Sequence, residues 1–308
     1  MKHAILVTYG EPQSPAFIEQ LVYSWRILLG LTRSVADIPA ALLPIIAVSR
    51  GRGRSRQWRE QSYSSPLEPI TLAQAAQLRT VLAQQTATPW TVHVAYEFRT
   101  PLLPDLISSL PADDPVFVVP MYAADSAFTH ALTRQSISSL TRRAPVVVLP
   151  PIDGEVLAEM SAAHVMQQLA GSPPDTRSSA LVLAAHGTLL EPSRPIDTGR
   201  EATEALRTAI EGRLSKCFGM VAHGWLNHTR GGKWTEPPIE ETLARVKEAG
   251  FRDVVYYPYG FLADNAESQL EGRLAAAAQP ELRVRFVECL NGSVKLAAAI
   301  ASQLNANG

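Results

Sequence analysis

A chain of 308 residues, 46% hydrophobic and 19% charged, has apolar content for two modest α/β domains and lacks the composition of a disordered protein. Its formal net charge of −1 sets it apart from nucleic-acid binders, which carry a basic excess, so no nucleic acid is expected as a partner. Two cysteines, Cys217 and Cys289, stand far apart without Cys-x-x-Cys spacing, which excludes a disulfide framework and a four-thiolate metal site and fits a reducing compartment.

The opening Met1-Lys2-His3-Ala4-Ile5-Leu6-Val7 predicts a first strand and not a signal peptide, because its apolar stretch is short and no small-residue cleavage pattern follows. Phe17, Ile18, Leu21, Val22, Trp25, Ile27, Leu28, Leu29 and Leu31 then predict an apolar-rich helix. Core packing is its simplest use, with transient peripheral membrane contact as the alternative. Short β-rich apolar runs recur at 4–8, 91–96, 115–119, 145–149, 180–185, 217–222, 253–258 and 283–287. Helical stretches separate most of them, the alternation that builds parallel sheets. Turn-rich residues 171–179 place a domain boundary near 150–178, giving an N-terminal domain 1–155 and a C-terminal domain 156–308. The last helical stretch, 292–305, is expected to dock back on the first domain. No run reaches the roughly 18 apolar residues of a membrane span, and a cytoplasmic location is expected.

The two halves repeat weakly and in the same order. Ile5-Leu6-Val7-Thr8-Tyr9-Gly10 parallels Val182-Leu183-Ala184-Ala185-His186-Gly187. Val94-Ala95-Tyr96 with Pro101 parallels Val221-Ala222-His223 with Pro237, and Pro120-Met121-Tyr122 parallels Pro258-Tyr259-Gly260 with a one-residue offset. Two similar Rossmann-like domains with parallel sheets are the expected fold. Their equivalent strand ends are expected to face a common cleft, with Tyr9, Met121, Tyr122, His186 and the helix of Glu267 directed toward it.

His186 ends one apolar run, and Gly260-Phe261-Leu262-Ala263-Asp264-Asn265-Ala266-Glu267 follows another. Each predicts a buried strand delivering a polar residue at its carboxyl end, where open α/β sheets build their sites. A turn-stabilising histidine is the alternative for His186. Asp264-Asn265-Ala266-Glu267 has capping-box spacing, and Asp264, Glu267 and Glu271 at i, i+3 and i+7 predict three carboxylates on one helical face. No Gly-x-x-x-x-Gly-Lys-Ser/Thr loop, Gly-x-Gly-x-x-Gly turn or Gly-x-Ser-x-Gly elbow occurs, which sets aside nucleotide and α/β-hydrolase chemistry. Imidazole plus carboxylate without thiolate suits a divalent first-row metal such as Fe²⁺, or proton transfer, and the pattern leaves both open.

Several segments together resemble the ferrochelatases almost end to end. In the first half they are Leu6-Val7-Thr8-Tyr9-Gly10-Glu11-Pro12, Ser64-Ser65-Pro66-Leu67, Ala95 through Pro101, and Pro120-Met121-Tyr122. In the second they are Ala185-His186-Gly187, Asn227-His228-Thr229-Arg230 with Trp234 and Pro237, and Gly260 through Ser268. The resemblance implies a bacterial-type ferrochelatase, a lyase that inserts Fe²⁺ into protoporphyrin IX or coproporphyrin III in haem biosynthesis. It implies that His186 and Glu267 bind the metal and accept the pyrrole protons, with Glu271 a further metal ligand and Asp264 extending the carboxylate path. Tyr9, Ser65, Met121, Tyr122 and Trp234 fall at porphyrin-binding positions. Fe²⁺ is implied as substrate, and a monomer is expected. No iron-sulfur cluster is expected, because the cysteine-rich motif of the animal enzymes is missing.

Arg50, Arg52, Arg54, Arg56 and Arg59 read as a solvated basic surface, or as partners for the extra propionates of coproporphyrin. Glu97 stands where the family usually has arginine or lysine, Asn265 where it has histidine, and Asn227-His228 where it has Gln-Ser. These departures keep two alternatives in view: a non-catalytic tetrapyrrole or metal carrier, and a cobalt or nickel chelatase acting on a sirohydrochlorin-like ring.

Overall fold

The computed structural model describes residues 1–34, 38–86, 88–171, 175–192, 194–227 and 232–308. They form two compact units, one from Met1–Pro151, Pro192–Asp197 and Gly292–Gly308, the other from Ile152–Glu191 and Thr198–Asn291. The first unit runs β1 (Lys2–Thr8), α1 (Phe17–Ser34), α2 (Leu43–Glu60), α3 (Leu67–Gln85), β2 (Trp90–Tyr96), α4 (Leu103–Ser109), β3 (Val116–Pro120), α5 (His130–Ser136) and β4 (Val146–Val148). The second runs α6 (Gly154–Ala170), β5 (Ser179–His186), α7 (Arg200–Leu214), β6 (Met220–Leu226), α8 (Ile239–Glu248), β7 (Asp253–Tyr257), a π-helical segment (Ala266–Glu271), α9 (Gly272–Ala277) and β8 (Arg283–Phe286). The last helix, α10 (Val294–Asn307), belongs to the first unit and packs on α3.

Each unit holds a four-stranded parallel sheet, ordered β2-β1-β3-β4 in one and β6-β5-β7-β8 in the other. From its first strand the chain steps to one side and then returns to the other. The switch point therefore lies between β1 and β3, and again between β5 and β7, at the carboxyl ends where such sheets bind ligands.

Backbone bonds at those ends superpose the two halves residue by residue. Met121 N–H donates to Val7 O at 2.9 Å, and Gly260 N–H to Ala184 O at 3.4 Å. Tyr96 N–H donates to Pro101 O at 2.9 Å, and Trp225 N–H to Pro237 O at 3.0 Å. Tyr9 thus corresponds to His186, Met121 to Gly260 and Pro101 to Pro237. The partner of Tyr96 is Trp225, two residues beyond the His223 that the sequence pattern suggests. The cause is a late start of β6, expected at 217–222 and found at Met220–Leu226. Cys217 N–H still closes a turn on Leu214 O at 2.8 Å. Gly219 presses so closely on the Arg177 carbonyl that a Cβ would lie 2.2 Å from its oxygen, and pairing with β5 begins only at Met220.

Burial explains why these runs are strands. Ala180 through Ala185 are all 0–1% exposed, the near-continuous apolar pattern of a central parallel strand covered on both faces. Ala180, Val182 and Ala184 pack with Ile239, Leu243 and Val246 of α8. That helix buries Ile239, Thr242, Leu243 and Val246 at i, i+3, i+4 and i+7, with Glu240 and Glu241 in its first turn and Arg245 and Lys247 in its last. Truncating a side chain such as Leu243 to alanine costs about 2–5 kcal/mol. In the first unit Ile5, Val7, Ala95, Leu103, Ile107, Val116 and Val118 form the corresponding core. The apolar helix α1 packs on α2 around Leu28, Leu43 and Ala47, with Leu21, Trp25 and Leu29 beside them, while Ile18 and Val22 point to solvent. The side chain of Leu31 lies outside the described residues. No helix among the described residues is long and apolar enough to cross a membrane.

Candidate active site

In the second unit β5 delivers His186 at its carboxyl end, and Gly187 N–H closes on Leu226 O at 2.9 Å. The chain leaving β7 passes over that strand end at Gly260, where a Cβ would stand 2.8 Å from the Cβ of Ala185. Only glycine allows so close a crossing. Beyond it Asn265 caps the π-helical segment. Its Oδ1 accepts from the N–H groups of Glu267 and Ser268, both at 2.9 Å, while its own N–H donates to Ser268 Oγ at 3.0 Å. This reciprocal capping box stands one residue later than the sequence spacing suggests, and it gives the asparagine at this position a structural role.

Asp264 is therefore not part of a carboxylate stripe. It is buried, with Oδ1 accepting from Cys289 N–H at 3.1 Å and Oδ2 from Asn291 Nδ2 at 2.7 Å. The expected three-carboxylate face fails because the residue lies outside the helix and its charge is used to hold the neighbouring loop.

The cap brings Glu267 onto His186, with Oε1 2.6 Å from Nδ1. The imidazole is 50% exposed and the carboxylate only 17%, so a solvent-facing ring is backed by a shielded acid. Desolvation opposes protonation of His186. The charge and hydrogen bond of Glu267, with the charge of Glu271, outweigh it and raise the histidine above its ordinary range. Glu271 Oε2 accepts from Asn227 N–H at 3.1 Å. Asn227 holds φ at 56°, a left-handed conformation that asparagine tolerates better than most residues. His228, Thr229 and Arg230 lie outside the described residues. Trp234 is half-buried and bridges Leu189, three residues past His186. Among the described residues no group of three or more His, Cys, Asp or Glu side chains is gathered to hold a metal ion.

Sequence reasoning missed Tyr256. Its phenol lies under the start of α9, where a Cβ on Gly272 would sit 2.6 Å from the hydroxyl. Burial first, then the charges of Cys289, Glu267 and Glu271, push this phenol well above its usual range. The available signal was Gly272 itself, a glycine inside a helical pattern that marks close approach.

The first unit places Tyr9, Met121 and Tyr122 at the carboxyl ends of β1 and β3. The Tyr9 hydroxyl donates to Phe128 O at 2.8 Å, and its ring lies 5.7 Å from Phe98 and 4.8 Å from Tyr122. Met121 is buried. Ser65 joins this end through Glu11, donating to its Oε2 at 2.5 Å, and accepts from Leu67 N–H at 3.2 Å to open α3. Glu97 turns toward α5, where its carboxylate accepts from Thr133 Oγ1 at 2.7 Å. Burial is the main cause of its raised pKa. All five arginines lie on α2. Arg54 donates to Gln20 Oε1 at 3.1 Å and stacks over Tyr23, while Arg52, Arg56 and Arg59 line an open hollow of about 330 Å³ with Phe17, Ser55 and Glu60.

The ferrochelatase family model matches residues 2–307. This chain belongs to the ferrochelatase family. It is thus a metal chelatase of porphyrin biosynthesis. The ferrochelatase of Xanthomonas axonopodis pv. citri is 24% identical over 322 residues, covering 97% of this chain and 96% of that protein. The mitochondrial ferrochelatase of Homo sapiens is 22% identical, covering 93% of this chain and 72% of that one. The fold is also that of CbiX, described as the terminal enzyme for biosynthesis of siroheme in denitrifying bacteria, with 16% identity, a TM-score of 0.54 and 99% of each chain covered. SirB from Bacillus subtilis with Fe³⁺ gives 14% identity and a TM-score of 0.54, covering 98% of this chain and 95% of that one. These likenesses establish a two-domain chelatase fold.

Proposed function

We propose that this chain inserts Fe²⁺ into protoporphyrin IX or coproporphyrin III, with His186 and Glu267 receiving the metal and the protons it displaces. The observation that carries this reading is the 2.6 Å contact between a half-exposed imidazole and a shielded carboxylate at a strand end. Metallation exchanges two pyrrole N–H protons for one Fe²⁺, so it needs a base beside the ring. With the Nδ1 proton held by Glu267, neutral His186 offers its Nε2 lone pair to the entering metal or to a pyrrole proton. The carboxylate then stabilises the imidazolium that forms. Glu271, tethered to the Asn227 backbone, supplies a second negative charge for the second proton.

Trp234 is the porphyrin contact in this unit, and Tyr9, Ser65, Met121 and Tyr122 are the corresponding group in the first. Because the Tyr9 hydroxyl is engaged with Phe128 O, that residue offers a porphyrin its aromatic face. The likeness to CbiX and SirB motivates a second reading, cobalt or nickel insertion into a sirohydrochlorin-like ring.

Anaerobic metallation followed by tetrapyrrole absorbance separates the two. Turnover of Fe²⁺ with either porphyrin, and none with sirohydrochlorin and Co²⁺ or Ni²⁺, is expected. The reverse pattern selects the second reading, and stoichiometric binding without turnover refutes both.

A further inference from the structure

Away from the carboxyl ends of its strands, the first sheet carries a histidine pair that the proposed chemistry does not use. In the parallel register His3 faces Thr91 and Ile5 faces His93. Alternate residues of a strand share a face, so His3 and His93 are diagonal neighbours on one side of the sheet. His3 Nδ1 lies 3.1 Å from His93 Nε2, and His3 Nε2 lies 3.2 Å from Asp114 Oδ2. The site is separated from Tyr9 by the length of β1, roughly 20 Å at about 3.3 Å per residue.

This arrangement has the layout of a carboxylate-oriented imidazole ligand. Asp114 accepts a hydrogen bond from His3 Nε2–H, which leaves the Nδ1 lone pair of the neutral ring directed toward His93. Two metal–nitrogen bonds of about 2.0–2.1 Å place their nitrogens about 3.0 Å apart in an octahedral site and about 3.4 Å apart in a tetrahedral one. The observed separation falls inside that interval. In the contact as it stands His93 Nε2–H donates to His3 Nδ1, between rings 5.2 Å apart with planes at 42°, and a metal ion takes the place of that proton once His93 adopts its other tautomer.

The frame is braced, since Arg79 donates twice to Val92 O and Arg142 Nη2 donates to Asp114 O at 3.1 Å. His3 is buried, but His93 is half-exposed, so an ion can enter from that side.

We infer that His3 and His93 form a two-imidazole site for a divalent first-row transition metal, with Asp114 orienting His3 from behind. No group of three or more His, Cys, Asp or Glu donors occurs among the described residues, so water or a carried ligand fills the other positions. Neutral imidazoles select copper, nickel or zinc over magnesium or calcium.

The test reads metal binding alone, without tetrapyrrole or turnover, so it is separate from the fate of the proposed chelatase reaction. Cu²⁺ is titrated into tag-free full-length protein carrying His186→Ala and Glu267→Gln, and the electron paramagnetic resonance spectrum is recorded. One ion coupled to two imidazole nitrogens is expected. Adding His93→Gln, with folding checked by circular dichroism, is expected to remove that two-nitrogen signature. Asp114→Asn is expected to weaken binding about 10- to 100-fold while both nitrogens remain. Absence of the signature in the parent double variant, or its persistence in the folded His93→Gln protein, would overturn the assignment.

Discussion

The two units offer the same strand end twice and equip it differently. Where β1 leads to Tyr9, whose hydroxyl is engaged with a backbone carbonyl, β5 leads to His186, whose ring is half open to solvent. Where the first unit buries Met121, the second has Gly260, and the chain crosses close over Ala185 before the π-helical segment that carries Glu267. π-Helical turns recur at functional sites because the extra residue re-aims side chains. The lesson is that a duplicated α/β fold supplies two platforms, while the pairing of imidazole with carboxylate depends on the glycine crossing and the Asn265 cap in one of them.

The largest expected effect follows from that asymmetry. His186→Ala and Glu267→Gln should each reduce kcat for metallation roughly 10²- to 10⁴-fold, the usual range for a positioned acid or base. Tyr9→Phe, at the matching position, should stay within about tenfold. Equal losses in all three, by steady-state absorbance assay, would show that both platforms do the chemistry.

Exchanging the crossing residues sharpens the comparison. Gly260→Val should destabilise the protein by roughly 1–3 kcal/mol through overpacking against Ala185, and should also depress kcat by displacing the His186 strand end. Met121→Ala should destabilise by roughly 2–5 kcal/mol by opening a cavity and, as the loss of a porphyrin contact on the platform without the base, should raise KM more than it lowers kcat. Denaturant melts and assays on the same preparations distinguish these patterns. Asn265→Ala should cost about 1 kcal/mol of stability through the lost cap, and should lower kcat because Glu267 loses its backbone anchor.

The smallest effect is in stability against pH. The folded pKa of His186 is raised, so the ion pair stabilises fully below the unfolded value of about 6.5 and is lost as pH rises through the folded value. Denaturant midpoints of wild type and Glu267→Gln should accordingly differ most below about pH 6.5 and converge at alkaline pH.

Much of this organisation was legible from residue pattern. The apolar runs of β1 and β5 announced buried parallel strands, and the one-residue offset after Pro120 and Pro258 is the observed difference between Met121 and Gly260. The start of β6 was not legible, because Cys217 and Phe218 are as apolar as strand residues while their backbone is still closing the turn from α7. Asp264 was misread for a related reason. Spacing identifies carboxylates that fit a helical face, but not which residue provides the cap, and here Asn265 does so while Asp264 binds Cys289 and Asn291. Tyr256 was hidden because a buried tyrosine in an apolar strand looks like any other core residue.

The pH dependence of metallation, measured for wild type and for the residual activity of Glu267→Gln, tests most directly whether His186 is the base and Glu267 its partner. Wild-type kcat should climb along an acid limb centred above about 6.5, and that limb should move to lower pH when the carboxylate is removed. An acid limb at the same pH in both proteins would contradict the account.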